Sequence, residues 1–199
     1  TVVIAFFVMR SIGKKTLYDK NQKETTLEQK SGLRPGQIKY DGAIYERNKD
    51  VLAFLIMGID SDKKTKKLTS KEIDKVGGGQ ADALFLLVVN TKTEKMNLIS
   101  INRNTKTAVD IYDSDGKLYN TEDLQICLAH AYGDGMKSSC ENQTTAVSNL
   151  FYELPINGYI AVNKGAIRTI NNAIGGVTLT TLEDLPFGSK AIRKAGNTV

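Results

Sequence analysis

The stretch Asp82-Ala83-Leu84-Phe85-Leu86-Leu87-Val88-Val89-Asn90, the turn Thr91-Lys92-Thr93-Glu94 and the return Lys95-Met96-Asn97-Leu98-Ile99-Ser100-Ile101-Asn102-Arg103 decide the fold. Residues 83–89 form an unbroken apolar run, too short for a long helix and bounded by turn residues, which reads as a strand buried on both faces. Residues 96–101 read as its hairpin partner. Pairing Asn90 with Lys95 fixes the register of the whole ladder. It sets Asp82 opposite Arg103, a carboxylate and a guanidinium where the sheet reaches solvent. As a plain edge salt bridge that pair is worth about 0–1 kcal/mol.

A neighbouring run gives the pair a second meaning. Residues 51–57 (Val-Leu-Ala-Phe-Leu-Ile-Met) form another core strand, which ends in Gly58-Ile59-Asp60-Ser61. Two acids and an arginine at strand ends form a set able to hold a divalent cation and a phosphate.

Outward from these strands, Gln37–Tyr40 and Ala43–Arg47 flank Asp41-Gly42, which favours a type I′ hairpin. A shorter strand is expected at 107–112. Thr121 is placed to cap a helix over 122–131. Ser139 is placed to cap a second, whose apolar face is Ala146, Val147, Leu150, Phe151 and Leu154 and which Pro155 ends. A strand at 159–162, a helix at 164–174 with Ile167, Ile170, Ala173 and Ile174 inward, and a strand at 177–181 complete the reading. Buried strands mixed with helices predict an α/β fold, a three-layer α/β/α sandwich with a mixed central sheet. The run Gly77-Gly78-Gly79 precedes a strand rather than a helix, so it is a flexible rim loop and not a phosphate-binding P-loop.

Charge is uneven. Residues 1–50 carry ten Lys/Arg against six Asp/Glu, and the rest of the chain seventeen against sixteen. A nearly neutral core argues against a nucleic-acid surface. The run Asp62-Lys63-Lys64-Thr65-Lys66-Lys67 reads as a solvated loop tip, with a patch steering an anionic glycan as the alternative. Residues 1–9 are apolar but too few to span about 30 Å of hydrocarbon. They are either the tail of a membrane helix or a short buried element. Arg10, Lys14 and Lys15 follow. Residues 10–35 read as a stalk, and the domain proper as 36–199.

Six segments in order resemble the LytR-CpsA-Psr family of cell-envelope proteins. They are Gly58-Ile59-Asp60-Ser61, Gln80-Ala81-Asp82, Asn102-Arg103-Asn104-Thr105, Ala129-His130-Ala131-Tyr132-Gly133, Leu154-Pro155-Ile156-Asn157-Gly158-Tyr159 and Ile174-Gly175-Gly176-Val177. The resemblance covers roughly 51–181. It departs from the family pattern at Gln80, where an arginine is usual, at Asn104, where an acid is usual, and at Cys127, where a phosphate-binding lysine is usual. The family's later Arg-x-Arg and Arg-Gln pairs lie beyond Val199, so the chain reads as a C-terminally truncated piece.

The resemblance implies an extracytoplasmic transferase of a Gram-positive-type envelope, attached to the membrane by a single N-terminal anchor of which 1–9 is the remnant. Such enzymes move a teichoic acid or capsular glycan from a polyprenyl-pyrophosphate carrier to peptidoglycan. Asp60 and Asp82 are then expected to share magnesium, with Asp82 and Arg103 catalytic. Arg103, Gln80 and Asn104 are expected to contact substrate. The lipid would lie along the helices at 144–154 and 164–174. A non-catalytic polyprenyl-phosphate-binding or regulatory domain, fitting the family's older transcriptional-attenuator label, is the alternative, and a general adhesin-like α/β module a third. Outside the cytoplasm, an even cysteine count favours a Cys127–Cys140 disulfide, with two small buried hydrophobes as the other reading. His130, the only histidine, is expected to pack or to support a neighbouring group.

Overall fold

The register anticipated for the central hairpin is the one the chain adopts. In a computed structural model that describes residues 11–13, 15–17, 19, 32–34, 36–61, 66–180, 182, 184–187 and 190–193, β4 (Ala81–Asn90) and β5 (Lys95–Ile101) pair antiparallel with Asn90 opposite Lys95 and Leu84 opposite Ile101. β3 (Val51–Ile59) pairs antiparallel with the other edge of β4, and β8 (Gly158–Asn163) runs parallel to β3. The result is a mixed four-stranded sheet of order β5-β4-β3-β8. With its helices it is the expected α/β architecture.

The sheet is asymmetric because alternate residues face opposite sides. Leu55, Met57, Leu84 and Leu86 point to one side and are fully buried. They meet Val109 of β6 (Lys106–Tyr112), Ile126 and Ala129 of a 3₁₀ helix (Ile126–Ala131), and Ala146 and Val147 of α2 (Lys137–Leu150). Each of the Leu, Met, Val and Ile side chains contributes about 1.5–3 kcal/mol by leaving water, and each alanine methyl less. The face of α2 is the one its spacing predicted, and Leu150, Phe151 and Leu154 pack against the same cluster. On the other side, Phe54, Ile56, Phe85 and Leu87 are half-buried, while Leu98 and Ile160 are each 60% exposed. The runs read as buried on both faces are therefore fully buried on one only, and β5 is exposed along all but its last residue.

β1 (Gln37–Tyr40) and β2 (Ala43–Glu46) form the expected hairpin, with positive φ at Asp41 (47°) and Gly42 (77°) as a type I′ turn requires. α1 (Ser70–Val76) follows the lysine loop, of which 62–65 lie outside the described residues.

Three sequence expectations are corrected. Residues 122–131 are not one helix: the first part is strand and only 126–131 are helical. β7 (Leu118–Gln125) pairs antiparallel with β6, and the 3₁₀ helix takes up the remainder. Thr121, expected as a cap, lies within β7 and donates its hydroxyl to Asp110 Oδ1 across the ladder at 2.6 Å. Of the strand expected at 177–181, residues 177–179 are not strand and Thr180 makes an isolated bridge, while 181 lies outside the described residues. The chain divides into two compact units, Thr1–Asn163 and Lys164–Val199. In the second, α3 (Lys164–Ala173) has no buried residue, and Ile167, Ile170 and Ile174, expected inward, are exposed. That unit also holds the hairpin of β9 (Leu185–Phe187) and β10 (Lys190–Arg193). The anchor expected at 1–9 lies outside the described residues. Among those described, no helix is long and apolar enough to cross a membrane.

Candidate functional site

A bulge builds the site. Gly58 pairs with Ala83 and Ile59 with Ala81, so Asp82 is the extra residue on β4. A bulged residue leaves the strict alternation of the strand and its side chain is re-aimed. Across the hairpin, Arg103 sits in the turn between β5 and β6. That turn is closed by Thr105 N donating to Asn102 O and by Asn104 N donating to Asn102 Oδ1. Asp82 Oδ1 lies 2.6 Å from Arg103 Nη1, with both side chains about one-third exposed.

Arg103 Nη2 donates to Gln80 Oε1 at 2.8 Å, and Cys127 Sγ lies 4.0 Å from the same oxygen. The structure thus gathers Gln80, Asp82, Arg103 and Cys127. Asp60 stands beside them on the next ladder step, its backbone N donating to Gln80 O, with its side chain exposed. Asn104 is exposed and occupied with its turn. The cluster is close to neutral: one guanidinium faces one carboxylate, and the two flanking side chains carry no charge.

Asp82 Oδ1 is buried and, despite the close guanidinium, has no hydrogen bond of acceptable geometry. An ion-pair contact out of hydrogen-bond alignment leaves that oxygen with acceptor capacity.

The 3₁₀ helix forms the floor. Ile126 N donates to Thr105 O and Cys127 N to Arg103 O, which ties the arginine turn down. The helix is held in turn by polar side chains buried on α2, which the sequence reading missed. Gln143 Oε1 accepts from His130 N and its Nε2 donates to Ile126 O; Asn142 Nδ2 donates to Ala129 O. Helical spacing could have found them, since Ser139, Asn142 and Gln143 continue the Ala146–Val147–Leu150 stripe towards the N-terminus.

His130 is buried in this network, as expected of a packing residue. Its Nδ1–H donates to Gly79 O at 2.9 Å, which leaves Nε2 to face Cys140 Sγ at 3.8 Å. Burial pushes the imidazole below its usual range, against opposing hydrogen bonds to the glycine loop. Burial, with the nearby Asp134 and Glu141, pushes the Cys140 thiol up to about 11. The disulfide is corrected: both cysteines are free and buried, because Cys127 turns to Gln80 and Cys140 to His130. The glycine run is no loose rim. Gly78 N donates to Ala131 O, and a Cβ on Gly78 would fall 2.4 Å from Ser139 Oγ and 2.5 Å from His130 O. Glycine is required there by close backbone approach.

A model of the LytR_cpsA_psr family matches residues 5–195. Among curated relatives, a protein of Halalkalibacterium halodurans is 28% identical over 71% of this chain and 38% of its own length. One of Enterococcus faecalis is 25% identical over 88% of this chain and 49% of its own. Both are named polyisoprenyl-teichoic acid–peptidoglycan teichoic acid transferase TagU. The chain spans at most about half the length of these relatives. Among solved structures, a Streptococcus agalactiae protein superposes with a TM-score of 0.53 at 22% identity, over 75% of this chain and 48% of that one. Bacillus subtilis TagV gives 0.50 at 19%, over 76% and 52%. These two likenesses establish the fold. Six motifs in order, the paired hairpin ends they predict and a family match over nearly the whole length agree: the chain belongs to the LytR-CpsA-Psr family.

Proposed function

We propose that this chain is the acid–arginine part of an extracytoplasmic glycopolymer transferase, which takes a polyprenyl-pyrophosphate-linked glycan such as teichoic acid and attaches it to peptidoglycan. The observation that carries the reading is the meeting of Asp82, Arg103 and Gln80 at one sheet end, with Asp60 one ladder step away. The names of the TagU relatives support the substrate class.

Asp82 and Asp60 fit a divalent cation. Asp82 Oδ1 lies against the Arg103 guanidinium, and an ionised carboxylate has further acceptor positions for a cation. Magnesium is commonly held by one or two carboxylates plus substrate phosphates and water. Among the described residues no group of three His, Cys, Asp or Glu side chains gathers, so the phosphates would complete the ligand set. When bound, the ion supplies positive charge to the diphosphate oxygens.

The chain's own residues do the rest. The Arg103 guanidinium, held by Gln80 and by the turn, binds a phosphate oxygen and fixes its direction. Whichever of Asp82 and Asp60 is left without metal accepts the proton of the incoming sugar hydroxyl. Phe54, Ile56, Phe85, Leu87 and Ile160 offer an apolar sheet face to an isoprenoid tail. That face replaces α2, whose apolar side packs in the core.

A second reading, a polyprenyl-phosphate-binding or regulatory domain without turnover, draws on Gln80 and Cys127. Both are neutral where the family pattern leads one to expect cations, so the cluster holds charge for one phosphate contact. Titration with undecaprenyl pyrophosphate, with magnesium and with a chelator, tests both. Magnesium-dependent binding that Arg103→Ala weakens is expected. Equal affinity in the variant overturns both readings. Binding without glycan transfer selects the second.

A further inference from the structure

The 3₁₀ helix holds both sides of the acid–arginine cluster. Its first two residues take the arginine turn, Ile126 N donating to Thr105 O and Cys127 N to Arg103 O. Its last two take the glycine loop. Gly78 N donates to Ala131 O at 2.8 Å, and His130 Nδ1 meets Gly79 O at 2.9 Å. One element of six residues therefore sets how far Arg103 stands from the loop that carries Gln80.

The His130 bond differs from the other three because a side chain makes it. A carbonyl oxygen only accepts, so Nδ1 carries the proton. With the imidazole kept neutral by burial, Nε2 is then an acceptor. Cys140 Sγ lies 3.8 Å from Nε2 and offers it a thiol hydrogen. Burial pushes that thiol up to about 11, so it keeps its hydrogen at neutral pH. The opposite tautomer would set Nε2–H against S–H and a bare Nδ1 against the carbonyl. The thiol thus selects the tautomer that grips the loop.

The grip is one residue from the site. Gly79 leads directly into Gln80, whose carbonyl accepts from Asp60 N at 2.9 Å and whose Oε1 accepts from Arg103 Nη2 at 2.8 Å. Asp82, the bulged acid, follows two residues on. The loop is closely packed at this point: Gly79 has φ +83°, and a Cβ there would fall 3.2 Å from Ile59 Cγ2. His130 itself is 1% exposed, so it acts on a ligand only through what it holds.

We propose that His130 is a positioning residue for the cluster: through Gly79 O it fixes the course of the glycine loop, and with it the place where Gln80 presents its amide oxygen to Arg103 and its carbonyl to Asp60. The use of that cluster on a diphosphate rests on the transferase reading above; the clamp itself does not.

The test compares the 199-residue chain with His130→Asn and His130→Leu. An asparagine Nδ2 takes the place of the imidazole Nδ1 and still donates to Gly79 O, whereas leucine fills the space and removes the donor. Binding of undecaprenyl pyrophosphate with magnesium is expected to weaken at least about fivefold in His130→Leu and to stay within about twofold of the parent in His130→Asn, the scale of one hydrogen bond. In an Arg103→Ala background, His130→Leu should cost much less, because the guanidinium it serves is gone. Losses that simply add, binding unchanged in a natively folded His130→Leu, or no rescue in His130→Asn each overturn the proposal. Imidazole ¹⁵N NMR of the unliganded parent needs neither ligand nor variant. A proton on Nδ1 is expected, and a proton on Nε2 overturns the clamp. Should His130→Leu lose its native circular dichroism, that spectrum and His130→Asn carry the test. If the parent binds no undecaprenyl pyrophosphate, the transferase reading fails and the clamp is read from the Gln80 side-chain amide resonances. They should shift in His130→Leu and hold in His130→Asn; resonances unmoved in both overturn it.

Discussion

Two polar constellations lie on either side of the 3₁₀ helix and are built to opposite ends. At the ladder end, Asp82 and Arg103 are about one-third exposed and meet in an ion pair. Behind the helix, Gln143 is fully buried, and both ends of its amide are matched to the backbone of 126–130. A half-exposed ion pair adds little to stability and stays open to ligand. A buried, satisfied amide is open to nothing, and its loss removes two hydrogen bonds to the buried backbone. The comparison separates residues that bind from residues that hold the binders in place.

The largest effect should fall on the buried side. Gln143→Leu removes the side-chain hydrogen bonds to His130 N–H and Ile126 C=O, and should lower unfolding free energy by about 2–4 kcal/mol. Urea denaturation measures it. A loss under about 1 kcal/mol would mean that the 3₁₀ helix does not depend on α2.

Arg103→Ala should do the reverse. Polyprenyl pyrophosphate binding should weaken by about 1.5–3 kcal/mol, the range for a charged hydrogen bond. Stability should change by less than about 1 kcal/mol. A variant that unfolds instead would erase the distinction between the two regions.

The buried side should also titrate. The His130 imidazole is held below its ordinary 6.5 by burial. The unfolded chain therefore binds the extra proton first, and stability falls as pH drops below 6.5. Cys140 gives the opposite limb. Its thiol is raised from 9.0 to about 11, so its contribution is full below pH 9 and is lost as pH rises towards 11. Thermal melts should show both limbs, the acid one flattened in His130→Gln and the alkaline one in Cys140→Ala. An acid limb unchanged in His130→Gln would place its origin elsewhere.

The smallest effect sharpens the ligand side. Gln80→Arg puts a second cation beside Arg103 and should tighten polyprenyl pyrophosphate binding by about 1 kcal/mol, less whatever the lost Gln80–Arg103 bond contributed. Surface plasmon resonance on lipid-loaded chips can resolve that. Weaker binding would mean that Gln80 serves the arginine better than a charge would serve the phosphate.

What the sequence determined by itself is the central ladder. An apolar run between turn residues can hide its side chains only as a core strand, and one pairing at Asn90–Lys95 propagates to Asp82 and Arg103, because the spacing of a strand is rigid. The type I′ turn at Asp41-Gly42 and the apolar stripe of α2 were legible for similarly local reasons. Only the tertiary structure decided residues 118–131. Leu118–Gln125 is nearly all exposed and shows no strand alternation, so its place comes from pairing with β6, contacts far along the chain that outweigh a local helical preference. The cysteines followed the same rule. Their spacing allowed a bridge, but packing gave Cys127 to Gln80 and Cys140 to His130. Local pattern sets what a segment can bury; the partner it meets sets what it becomes.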